Sequence, residues 1–424
     1  MKHQILKGKR LLVLGGSTWK ESIKAFKEEN EIKIIAAGLW HVGIYDIADE
    51  CYTIDILNPQ VMKKFIMEKK IDGVYMGGAE NVISVACQYI NDLGLPCYCT
   101  KEQWDFLQNK SNFKILCEKN GLPIVPQYFI DEKDIIGSVP IDAYPVITKP
   151  ADGCGSNGFS ICRTSMDLVE GYRKAKAESP TCSVICEKFV KNTGVVVFYT
   201  FSNGKVIFSG LEDKYPVCFE KYGSYVGGLF TFESKFTHEF LSRFEKNIEK
   251  MFQSINIKEG SAWIEVFHDG DDYFFNEVGF RYGGSVSIYP VDYLMGINQV
   301  AADIYYSLTG ESNLFNHTSL INTNIRKGLN YAVYPIYACP GIISEVKGLD
   351  SIRDNVVFST LTKTIGVKIE DSGSFNQNVA VIHFVYKDEV ELKNSIDAIH
   401  SSLEILDENG INMVIKLLNI DKIL

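Results

Sequence analysis

The chain has 424 residues, a formal net charge of −10, 46% hydrophobic residues and 23% charged residues. Such a length calls for two or three domains with ample interior, and the acidic balance argues against nucleic acid or an anionic membrane as a partner. No run approaches the ~18 apolar residues of a membrane span, and the apolar stretch at 11–14 is too short for a signal peptide, so a soluble, cytoplasmic protein is expected.

The first hundred residues alternate short apolar strands with amphipathic helices. RLLVLGG is followed by a helix over 20–29, IKIIAAG by a helix over 59–69, and IDGVYMG by a helix over 81–93 that leads to a fourth strand, PCYCT. This pattern predicts an α/β unit, a parallel sheet with helices on both faces. Gly15 and Gly16 follow the first strand, yet the run GGSTWK is no G-x-G-x-x-G, and a tight turn explains it equally well. Eleven cysteines form no CxxC pair and read as small buried hydrophobes of a reducing compartment.

NKSNFKILCEKNGLPIVP is a helix closed by Gly121 and Pro123. Strands VITKP, FSICRT and SVICEKFV then flank a helix over 166–177, predicting a small α+β unit that GKVIFSG ends at Gly210. Residues 213–232, aromatic and glycine-rich without clear periodicity, are expected as a loop over a site. FLSRFEKNIEKMFQSI reads as a helix. After about Leu314 come strands such as YAVYPIYA and VAVIHFVY, a helix over 389–403, and no catalytic motif. No internal repeat or low-complexity tract is present.

Three stretches carry chemical content. IEVFHDGDDYFFNEV, residues 264–278, reads as a hairpin. With its loop centred near Asp271, Glu265 and Glu277 become cross-strand partners roughly 5 Å apart at Cβ, and like charges so placed call for a divalent cation between them. In PVITKPADGCGSNGFSI, residues 145–161, a strand delivers Lys149 ahead of Gly153, Gly155, Ser156 and Gly158. Such a loop can turn successive N–H groups onto a phosphate chain, although the order of lysine and glycines is not that of a Walker A loop. In SVICEKFVK, an apolar strand ends in Glu187 and Lys188, and Phe189 and Val190 can wall a planar base. Taken singly, each stretch also reads blandly, as a mobile turn, an edge strand or a solvated face.

In order, Lys110, Lys149, the glycine loop, Glu187-Lys188-Phe189-Val190 and the Glu265/Glu277 hairpin with Arg281 resemble the ATP-grasp superfamily. The likeness is to its carbamoyl phosphate synthetase, biotin carboxylase and amino acid ligase branch, and it covers most of the chain. It implies a Rossmann-like N-terminal domain (1–104), a two-lobed ATP-grasp domain (105–314, its lid about 127–210) and a small C-terminal α+β domain (315–424). It further implies that Lys110 and Lys149 contact ATP phosphates under the glycine lid, that 187–190 holds adenine, that Glu265 and Glu277 bind Mg2+, and that Arg281 stabilises an acyl phosphate or substrate carboxylate. Two positions depart from the family pattern. Gly279 stands where a metal-binding asparagine is usual, with Asn276 or a water to compensate, and the acidic ribose contact is replaced near Gly194.

The implied activity is ATP-dependent joining of a small carboxylate to an amine, with ADP and phosphate released. A purine-biosynthesis type of ligase or carboxylase acting on a ribonucleotide, and a nucleotide-binding protein without catalysis, are the alternatives. Small-molecule carboxylate and amine substrates are the expected partners. A homodimer is expected by family habit alone.

Overall fold

The computed structural model describes residues 5–14, 19–39, 43–152, 158–190, 194–222, 224–270, 272–284, 286–321, 328–349 and 355–418. Its N-terminal part is a parallel sheet of β1 (Arg10–Leu14), β2 (Lys33–Gly38), β3 (Glu50–Thr53) and β4 (Gly73–Tyr75) in the order β3-β2-β1-β4. Helices Lys20–Asn30, Pro59–Glu68 and Glu80–Asp92 connect or follow the strands, as alternating apolar runs and amphipathic segments require. Asn58 caps the helix Pro59–Glu68 by accepting from the amides of Gln60 and Val61. The expected fourth strand at PCYCT does not form, and β3 takes part in the sheet where no strand was expected. Tyr98 instead packs edge-on against Phe280 and donates to its carbonyl, drawing the segment onto the central sheet. Gly15 and Gly16 lie outside the described residues.

A lobe of three antiparallel strands follows: β5 (Val146–Pro150) is flanked by β6 (Ser160–Cys162) and β7 (Val184–Lys188). The helix Ser165–Glu178 starts with a capping box between Thr164 and Asp167. It contributes Leu168 to a small core with Val139, Val146, Cys162 and Cys186.

The largest element is a nine-stranded sheet. It begins with β8 (Gly194–Ser202), β9 (Lys205–Phe219), β10 (Ser224–Phe232), β11 (Gly260–Asp269) and β12 (Asp272–Gly279). It continues through β13 (Asn330–Ala338), which lies beside β10, then β18 (Asn378–Tyr386) and β16 (Val356–Leu361), while β20 (Val414–Ile415) pairs with β13. Short pairs β14 (Gly341–Ile342) with β17 (Lys368–Ile369) and β15 (Glu345–Lys347) with β19 (Glu404–Leu406) stand apart. Two expectations are corrected here. Residues 194–210 leave the lid and pair into this sheet, because β8 finds its partner in β11. Residues 213–219 and 224–232 are not a loop but the second half of β9 and the whole of β10, whose alternation is interrupted by the register shift at Gly227/Leu229.

The helix Thr237–Ser254 lays Phe240, Phe244, Ile248, Met251 and Phe252 on one face of the sheet, in a core shared with Val197, Tyr199, Val266 and Phe275. Pairing parity puts Glu265 and Glu277 on the other face.

Candidate nucleotide and metal site

Glu265 and Glu277 are direct cross-strand partners, and the reason was not visible in the pattern. The β11–β12 pairing closes at Asp269↔Asp272, a register that would set Glu265 opposite Asn276. A bulge between Val266↔Phe275 and Glu265↔Glu277 inserts Asn276 as an extra residue and restores the carboxylate pair.

Asn276 is 5% exposed. It accepts from Lys149 Nζ at 2.7 Å and donates to Glu265 Oε2 at 2.7 Å. Lys149 stands near the end of β5, so this amide joins the three-stranded lobe to the central sheet. Lys149 also pairs with Glu187 Oε1 at 2.5 Å, and Glu187 Oε2 takes the Nζ of Lys114. Lys110, first residue of the helix Lys110–Lys119 behind its Asn109 cap, reaches Glu277 Oε2 at 3.3 Å. Lys110 and Lys114 are one helical turn apart and share a face, so a single helix serves carboxylates on both lobes.

Burial would raise the Glu187 carboxyl, but Lys149 and Lys114 outweigh it and hold it below the usual range. For Lys114, burial wins and pushes the ammonium down. Lys214, on β9, pairs with Glu265 Oε1 at 2.5 Å. Burial pulls Lys214 down, yet Glu265 more than compensates and its pKa is raised. Glu265 in turn is held low, burial notwithstanding, by Lys214 and the Asn276 amide. Two ammonium groups, Lys214 and Lys110, thus pair with the two carboxylates on one sheet face, which is the arrangement a divalent cation would exchange for its own charge.

The remaining expected residues divide. Gly158 has φ +75°, and a Cβ there would stand 2.8 Å from Pro150 Cγ, so glycine is required. Gly153, Gly155 and Ser156 lie outside the described residues. Lys188 is exposed and Phe189 half-buried, while Val190 is buried. The amides of Lys188 and Phe189 already donate to Pro126 and Pro145 carbonyls, which leaves a base edge to other backbone groups of the segment. Arg281 pairs with Glu80. Its Nε and Nη2 donate to Glu80 Oε1 at 3.0 and 2.6 Å, and the guanidinium lies 5.3 Å above the Trp263 ring. A Cβ at Gly279 would meet Trp263 Nε1 at 2.2 Å, so the indole fills the space an asparagine there would need. Gly194 pairs with Lys214 at the start of β8.

Residues not anticipated in these roles are Lys114, Lys214, Glu80 and Trp263. The i, i+4 spacing from Lys110 was the only signal for the first, and Glu80 and Trp263 gave none.

This is the ATP-grasp fold. Residues 109–197 match the family model for the carbamoyl-phosphate synthase L chain, ATP binding domain. The chain is 24% identical over 171 residues to the carbamoyl phosphate synthase large chain of Pyrococcus furiosus, a match covering 40% of this chain but 16% of that protein. Among solved structures, the L-amino acid ligase from Bacillus licheniformis superposes with a TM-score of 0.73 at 18% identity, over 95% of this chain and 100% of that one. The biotin carboxylase domain of the Hydrogenobacter thermophilus 2-oxoglutarate carboxylase, in complex with MgADP, ADP and bicarbonate, does so with a TM-score of 0.73 at 18% identity, over 96% and 91%.

Proposed function

We propose that the chain is an ATP-dependent carboxylate–amine ligase that activates a small carboxylic acid or amino acid as its acyl phosphate and passes the acyl group to an amine. The observation that supports this reading is the junction of Lys149, Asn276 and Glu265, a cation of the three-stranded lobe linked through one amide to a member of the carboxylate pair. Glu265 and Glu277 would hold the metal, which when bound supplies positive charge against the phosphate oxygens. Lys110 and Lys149 would meet those phosphates, residues 153–158 would close over them, and 187–190 would line the adenine. Arg281, aimed by Glu80, would receive the carboxylate undergoing activation.

In such a site the residues contribute chiefly position and fixed charge, since phosphoryl transfer needs little covalent help. Enclosure by the lobe would keep water from the acyl phosphate. The test is a screen of amino acids and small carboxylates, singly and in pairs, for release of ADP and phosphate. Release of AMP and pyrophosphate would contradict the acyl phosphate route, and turnover only with a ribonucleotide would assign the chain to purine-type chemistry. Mg-ATP binding without any acceptor-dependent turnover would leave a nucleotide-binding protein.

A further inference from the structure

Glu212 stands in the same cross-strand row as the two proposed metal ligands. Glu277 pairs with Glu265, Glu265 with Val196, and Val196 with Glu212. Directly paired residues project from one face, so Glu212 shares the surface of Glu265, two strands away, or about 10 Å at the usual strand spacing. It is 2% exposed, and its Oε2 has no hydrogen-bond partner among the described residues. The cation nearest along the strand on that face, Lys214, is committed to Glu265. Asp213 points to the opposite face, where Ser234 donates to it.

A carboxyl in this position is costly to keep ionised and gives the fold nothing in return. Burial accordingly lifts its pKa well above the carboxylate range, with Lys214 pulling the other way. One row along the same face, Trp263 pairs with Gly279 and Phe198. Its indole N–H is likewise buried without a partner among the described residues, beneath the guanidinium of Arg281. The face therefore offers an unused donor beside a guanidinium that Glu80 holds in place on one side, and an unused acceptor on the other. The complement of that pattern is a zwitterion.

We propose that Glu212 receives the ammonium group of an amino-acid substrate whose carboxylate lies toward Arg281 and the Trp263 indole. The assignment rests on the ligase reading only for the statement that this carboxylate is the one activated. An ammonium restores the ionised form of Glu212, whereas a des-amino acid of the same shape leaves the group unpaired, so the site discriminates between them.

The experiment is a thermal-shift titration of the full chain, loaded with Mg2+ and a non-hydrolysable ATP analogue. The probes are the twenty common L-amino acids, β-alanine and γ-aminobutyrate, each against its des-amino acid. At least one amino acid is expected to stabilise the protein, with its des-amino counterpart roughly 100-fold weaker. Glu212→Gln, its folding verified by circular dichroism and a cooperative melt, is expected to bring the two within about 3-fold. The comparison of ligands on the unaltered chain requires no variant. Failure of every amino acid to bind, or unchanged discrimination in Glu212→Gln, overturns the proposal. ADP release is measured on the same panel. An amino acid that binds and loses its advantage in Glu212→Gln, yet drives no ADP release, sustains the ammonium site and sinks the ligase reading. ADP release with a des-amino acid as efficient as with its amino acid overturns the ammonium site and leaves the ligase standing.

Discussion

Lys149 and Glu265 meet through a single amide: Asn276 accepts from one and donates to the other, each at 2.7 Å. Replacing it with alanine removes both bonds and leaves the lysine and the carboxylate without the group that sets their spacing. Asn276→Ala is expected to weaken Mg-ATP binding about 10-fold, the equivalent of roughly one charge-assisted hydrogen bond. Calorimetric titration with and without Mg2+ decides it, and an unchanged affinity would remove Asn276 from the site.

Lys114 is the buried partner of Glu187. Lys114→Met leaves Glu187 with Lys149 alone and is expected to cost about 3 kcal/mol in chemical denaturation, the low end for breaking a buried ion pair. Glu187 is held below its ordinary pKa, so its contribution is present above the unfolded value of ~4.3 and is lost as pH falls through the folded one. The difference between wild type and variant should therefore shrink below about pH 4. A difference that grows on acidification contradicts the assignment.

Gly279 and Trp263 occupy one volume. Gly279→Asn forces the indole aside and is expected to destabilise by about 1–3 kcal/mol. In a Trp263→Ala background the same substitution should cost less, and a double-mutant cycle on unfolding free energy measures that coupling. Equal costs in both backgrounds would show that the glycine answers to something other than the indole.

Glu212 should weaken the fold as pH rises. Its folded pKa lies above the unfolded one, so the stability linked to its protonated form is complete below ~4.3 and is lost as pH climbs toward the folded value. Glu212→Gln, which carries no charge, should gain on wild type steadily between pH 5 and pH 8. Parallel stability curves for the two proteins would refute this.

The fold class and the order of the site motifs were legible because both rest on short-range patterns. Apolar runs alternating with amphipathic helices define the N-terminal sheet, and a lysine before a glycine run followed by a carboxylate hairpin defines the site. The Glu265/Glu277 pairing was anticipated from a hairpin centred on residue 271, but the real turn is offset and a bulge at Asn276 corrects it. Nothing in the alternation of residues marks such an insertion. The second half of β9 and all of β10 escaped notice because Gly227, Gly228 and the aromatic residues of 213–232 blur a period of two, and the far edge of β10 is paired by β13, about a hundred residues on. Glu80 and Arg281 are 201 residues apart, and contacts of that span have no local signature.

β10 hydrogen-bonds β9 on one side and β13 on the other, so the strands from residue 330 onward continue the sheet that bears the carboxylates. A chain cut after residue 314 would leave Phe230, Thr231 and Phe232 with unpaired backbone groups along an open edge. Such an edge is a template for self-association. Trimming the protein to its nucleotide-binding portion should therefore yield aggregates rather than a smaller soluble ligand-binding fragment.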